Sequence, residues 1–260
     1  FAKGWALMSL AESELSQRGI EGFSMDRART SAERAIAADP SVSEGHAAFA
    51  EALLRGMLDR SRGAADEALE TALRLDPNCF EAHTIAGAAA IGRRDYERAI
   101  VHFERAIELD PAAYWPAGMV VQAYEALGEH EATAAAERRA LATCEKILAD
   151  EPDHSGALGF LVTSLAGLGQ AERAREWTSR ALLFDPDNAR LHYNLACAMS
   201  RLGDADRAVE LIEPWIGKVS HGWILWMQTD NSLDPIREHP RFVELMKRGE
   251  RRLEAETAST

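Results

Sequence analysis

Eight histidines and three cysteines are the residues of this 260-residue chain with the readiest capacity for metal or nucleophilic chemistry. A zinc site needs thiolate and imidazole ligands at short fixed spacings, or two histidines one helical turn apart with a glutamate between them. Cys79 and His83 are four residues apart, but no second pair accompanies them, and neither HExxH nor CxxC occurs. Cys79, Cys144 and Cys197 are odd in number and far apart, which argues against a disulfide framework and fits a reducing, cytoplasmic setting. Phosphate cradling needs a glycine-rich loop between strand and helix. Gly156, Gly159, Gly167 and Gly169 follow no strand pattern, and GxxxxGK[ST] is missing. No Ser-His-Asp or Cys-His grouping can be argued from spacing, and carboxylates alternate with arginine, as in Glu104-Arg105 and Glu172-Arg173, in the manner of solvated helix faces. These residues predict no catalysis, no metal and no cofactor.

The elements that carry them are announced by five helix-ending signals: Asp39-Pro40, Asp76-Pro77, Asp110-Pro111, Glu151-Pro152 and Asp185-Pro186. Each closes an Ala-rich amphipathic run, and the intervals between the prolines are 37, 34, 41 and 34 residues. A period of this size means stacked repeats, because one such unit cannot bury its apolar face alone. The cleanest unit runs from Phe80 to Ala113: a first helix with His83, Gly87 and Ala90, a turn at Gly92-Arg93-Arg94-Asp95, and a second helix with Ala99, Phe103 and Ala106. Small residues at Gly87, Ala99 and Ala106 let the backbones approach, with Phe103 filling the gap. His46, His83 and His192 recur at one inward position of the first helix, where packing is expected. The helix from Glu129 to Ala149 is about two turns longer than the pattern, and three extra residues fall near 58–62.

This pattern resembles the tetratricopeptide repeat. The resemblance covers residues 1–213 and implies an all-α, right-handed superhelical solenoid of about six helix–turn–helix units, with 214–260 as a C-terminal helical cap. It also implies a concave face lined by first helices, whose in-phase positions include Thr84, Ala88, Gln122, Thr163, Tyr193 and Cys197, with Asn194 beside them. Such a groove holds an extended or helical peptide. Members of the family that clamp a terminal carboxylate use lysine and asparagine there. This chain has no lysine at these positions, so a weakly polar groove of small residues is the expectation, with a protein or peptide partner, or self-association. Part of the array serving only as structure is the other reading.

After Glu213-Pro214 the pattern breaks. Pro235 and Pro240 mark two helix starts, the second opening a helix of about 241–256 with Phe242, Leu245 and Met246 on one stripe, as the cap of a solenoid requires. The string from Asp230 to Phe242, following Tyr193 to Ala198, resembles the end of repeat regions in multidomain bacterial signalling proteins, in which a nucleotide cyclase, a kinase or a DNA-binding domain precedes it. With Phe1 in place of methionine, this implies a fragment of a larger regulatory product, a nucleotide cyclase being the first expectation; the alternative is a free-standing adaptor or chaperone. Arginine outnumbers lysine 25 to 4, which suggests a GC-rich bacterial source. The net charge of −13 argues against nucleic acid and anionic membrane as partners, and no run of 18 apolar residues exists to span a bilayer. The stretch Arg237–Arg252, with six basic and three acidic residues, is expected to be a solvated helix face.

Overall fold

A computed structural model describes residues 1–17, 20–56, 62–219 and 221–258. Among these the chain is all-α, with fourteen α-helices, one 3₁₀ segment and no strand. They form two compact units, Phe1–Pro111 and Ala112–Thr260. The first holds α1 (Ala2–Gln17), α2 (Met25–Ala38), α3 (Ser43–Gly56), α4 (Arg62–Leu75), α5 (Phe80–Gly92) and α6 (Tyr96–Leu109). The second holds α7 (Tyr114–Ala126), α8 (His130–Asp150), α9 (Ser155–Gly167), α10 (Ala171–Phe184), α11 (Ala189–Arg201), α12 (Ala205–Ile212), α13 (His221–Thr229), the 3₁₀ segment Asn231–Ile236 and α14 (Pro240–Ala258). The insertion expected near 58–62 lies outside the described residues, apart from Arg62 at the start of α4.

Several helices are started or stopped by residues at their own ends. Ser24, Asp95, Asn188 and Asp204 accept from the backbone N–H three positions on, satisfying donors that the first turn leaves free. At the other end, the acidic residue before each proline donates its N–H to the helix: Asp39 to Ala35, Asp110 to Ala106, Glu151 to Ile147 and Asp185 to Ala181. The proline then has no N–H with which to continue. The side chains tighten the turn, Asp39 Oδ1 accepting from Ser41 N–H at 2.9 Å and Asp76 Oδ1 from Asn78 N–H at 2.8 Å. His46, His83 and His192 complete this joint. Each is half-buried, with its Nε2 2.9, 3.0 and 2.9 Å from the carbonyl of Pro40, Pro77 and Pro186, so the histidine ties its helix to the preceding turn.

Within a pair, the turn uses the left-handed backbone region. Gly128, Gly169 and Gly203 have φ of 72°, 70° and 78°, and Arg94 occupies the same place at 60°. Packing then depends on missing side chains. A Cβ on Gly87 would lie 2.6 Å from the fully buried Phe103 ring, and one on Gly118 would lie 2.0 Å from Phe160. In the second unit α8 has 21 residues, as its long interval requires. Beyond Pro214, Ile216, Val219, Phe242, Leu245 and Met246 share one core with α11 and α12. Arg241 pairs with Glu213 at 3.1 Å, and Arg248 and Arg252 donate to the carbonyls of Glu213 and Val219. Basic residues of α14 thus pin that helix down, beyond the solvated role expected of them.

Candidate peptide-binding face

The first helices α7, α9 and α11 lie side by side in the second unit. Gln122 on α7, Thr163 on α9 and Tyr193, Asn194 and Cys197 on α11 are the expected inner-face positions of that unit. Gln122, Thr163 and Asn194 are half-buried, while Tyr193 and Cys197 are buried.

The structure gathers three of them around a single carboxylate that sequence reasoning did not single out. Asp230 is 5% exposed. Its Oδ1 accepts from Gln122 Nε2 at 2.9 Å and from Ser232 N–H at 2.8 Å, and its Oδ2 accepts from the Tyr193 hydroxyl. Cys197 Sγ is 3.9 Å from Oδ2, and Asn231 Nδ2 donates to the Gln122 carbonyl at 3.5 Å. Trp223 meets the Tyr193 ring edge-on, centroids 5.0 Å apart. Burial, then the Asp230 charge, pushes the Tyr193 hydroxyl and the Cys197 thiol well above their usual range, so both remain protonated donors. Among the described residues no cationic side chain pairs with Asp230. Leu233 and Ile236 are buried at 0% and 1%, and the 3₁₀ segment that carries them packs on α7, α11 and α12.

The other positions are placed differently. The Thr163 hydroxyl turns back to the Phe160 carbonyl at 2.9 Å. Asn194 covers Gly159, where a Cβ would lie 2.6 Å from Nδ2. Thr84 and Ala88 are half-buried on α5 of the first unit, and among the described residues the Thr84 hydroxyl has no hydrogen-bond partner.

Beside this face an ionic network joins three helices. Arg201 is 2.8 Å from Glu137 Oε1 and 3.1 Å from Glu125 Oε1, and it donates to the Thr163 carbonyl at 3.3 Å. Burial raises Glu137, opposed by Arg201; burial alone would lower Arg201, but the two carboxylates hold it raised. Of this trio Glu125 alone lies on a first helix at an in-phase position, three residues after Gln122 on α7, which marks a place on a face and not the network itself. Among the described residues no cluster of three or more His, Cys, Asp or Glu is arranged to hold a metal ion. Cys79 Sγ lies 3.7 Å from Glu81, whereas His83 turns to Pro77 and to His102, 3.1 Å away. No helix among the described residues is long and apolar enough to cross a membrane.

Models of the tetratricopeptide repeat match residues 80–112, 134–192 and 178–210. These segments are similar to the tetratricopeptide repeat. The first match coincides with α5–α6, and the other two run from α8 through α12. Solved structures of similar fold include PilF of Pseudomonas aeruginosa, at 17% identity and TM-score 0.50, covering 95% of this chain and 97% of that one. A thermophilic tetratricopeptide-repeat protein of Thermus thermophilus matches at 19% identity and TM-score 0.54, covering 76% and 99%. PilW, a type IV pilus biogenesis factor, matches at 18% identity and TM-score 0.50, covering 88% and 98%. At these identities the likeness is one of fold.

Proposed function

We propose that the chain is a non-catalytic protein-binding module whose first helices hold a segment of a partner polypeptide against their inner face. The reading rests on one observation: Gln122 and Tyr193, two repeats apart, already converge on a carboxylate of a chain segment laid across them. A surface that takes one segment by side-chain donors and apolar pockets has the chemistry to take another. Thr163, Asn194 and Cys197 are further inner positions of the second unit, and Thr84 and Ala88 are those of the first. With a net charge of −13, the partner is a protein and not a nucleic acid.

The test is capture of partners from source-cell lysate on the immobilised chain. Thr84→Arg and Thr163→Arg are expected to lower the yield of a specific partner severalfold, whereas the exposed Glu176→Arg should leave it unchanged. Dependence on Glu176 but not on the threonines would overturn the reading. For context, the string from Asp230 to Phe242 favours attachment to a larger bacterial signalling product of nucleotide-cyclase type over a free-standing adaptor. An immunoblot band far above 28.5 kDa would support attachment, and a band near that mass would support the adaptor.

A further inference from the structure

The inner face of the second unit is occupied by its own chain, and the chemistry of that contact exceeds what a cap needs. A cap must cover apolar surface, and leucines would do so without desolvating a charge. Burying a carboxylate costs several kcal/mol unless donors replace water. Asp230 does serve as the N-cap of the 3₁₀ segment, but Oδ1 alone does this, through Ser232 N–H. Oδ2 has no part in the turn and faces Tyr193 of α11, while Gln122 reaches the carboxylate from 108 residues away in the chain. Two helices that are not neighbours in sequence are thus equipped to recognise one acidic side chain.

The segment also holds its own shape. Arg237 donates to the carbonyls of Gln228 at 2.7 Å and Asp230 at 2.8 Å and pairs with Asp234 at 2.7 Å, all within the segment and none on α7 or α11. It therefore presents Trp223, Asp230 and Leu233 as a preformed unit.

We propose that residues 223–236 are an internal ligand of the second unit's inner face, and that a partner segment of the same chemistry binds by displacing them. That chemistry is an aromatic side chain, an aspartate seven residues later at the start of a tight turn, and a buried leucine three residues beyond. The proposal rests on the inner face being a segment-binding surface. Displacement is an exchange: the incoming segment buries the same apolar groups and offers the same carboxylate, so the occupied state sets apparent affinity through the fraction of chains that are open.

The experiment uses the full chain and a fluorescently labelled synthetic peptide of residues 221–239. Arg237→Ala loosens the internal segment while leaving α7 and α11 untouched, and Asp230→Ala removes its anchor. Both variants are expected to bind the peptide about tenfold more tightly than the unaltered chain, as when the open fraction rises from ~1% to ~10%. A peptide carrying Asp230→Ala should lose that gain, and so should Arg237→Ala combined with Tyr193→Phe. In the unaltered chain, saturating peptide should raise amide exchange across 223–236. Equal affinity for loosened and unaltered chains, indifference to the peptide carboxylate, or unchanged exchange would each make the segment a fixed cap and overturn the proposal. Those results would leave partner capture through Thr84 and Thr163 standing, whereas insensitivity of capture to those threonines would remove the broader reading whatever the peptide does.

Discussion

Arg94 is the one non-glycine residue among those described with a positive φ, 60°, in the place that Gly128, Gly169 and Gly203 fill in the three pairs α7–α8, α9–α10 and α11–α12. Side chains are disfavoured there by about 1 kcal/mol or more. Arg94→Gly is therefore expected to stabilise the chain by about 0.5–1 kcal/mol, read as a higher urea midpoint at unchanged slope. The opposite change belongs at Gly118, where Ala would drive a Cβ to 2.0 Å from the Phe160 ring. A loss of about 1–3 kcal/mol is expected from Gly118→Ala, with partial recovery when Phe160→Leu is added. At this scale the sequence was legible where a residue's role is set by its neighbours in the chain. The turn at 92–95 could be read, yet not that the left-handed position falls on Arg94 instead of Gly92, because that depends on its distance from the capping Asp95. His46, His83 and His192 could be seen to recur in register. Their bond to a proline carbonyl needed three dimensions.

Between elements, two polar contacts set the energetics. In the α5–α6 pair, His83 Nδ1 and His102 Nδ1 are 3.1 Å apart, and burial, then the neighbouring His83, lowers His102 to about 4 from 6.5. The unfolded chain therefore takes up a proton first as the pH falls. Stability from this site is present above pH 6.5 and is lost as pH falls from about 6.5 towards 4. Denaturation of the unaltered chain and of His102→Gln at pH 7.5 and pH 5.5 should show a shallower dependence in the variant. In the second unit, Arg201→Met would strand Glu137, which is 2% exposed, at a cost of about 3–5 kcal/mol. Adding Glu137→Gln should recover part of it. Helix existence and length were readable from proline, glycine and apolar spacing, including the extended α8. The Arg201 network was not, since it joins Glu125, Glu137 and Arg201 from three helices with no periodic trace.

For the whole molecule, the repeat period predicted stacked helix pairs because burial forces regular spacing on the residues that pack. Nothing forces such spacing on a segment that lies across the pairs, so the Gln122–Asp230 contact left no mark in the pattern, and Gln122 and Tyr193 could be named only as positions on a face. The net charge of −13 acts on the chain as a whole. Exposed pairs such as Glu172–Arg175 and Arg207–Glu210 contribute little each, whereas unbalanced negative charge repels throughout. Raising NaCl from 0.02 to 0.3 M should accordingly lift the calorimetric Tm by about 2–4 °C. The thiols are distributed over both units and sealed in each. Cys79 in the first unit and Cys144 and Cys197 in the second are unbonded, 3%, 0% and 4% exposed, with burial pushing Cys144 up to about 12. Alkylating reagents meet none of them until the fold opens locally. The native chain is thus its own three-channel clock: modification rates mapped by mass spectrometry time the opening of each unit separately, and Cys197, beside Asp230, times the departure of the segment that covers it.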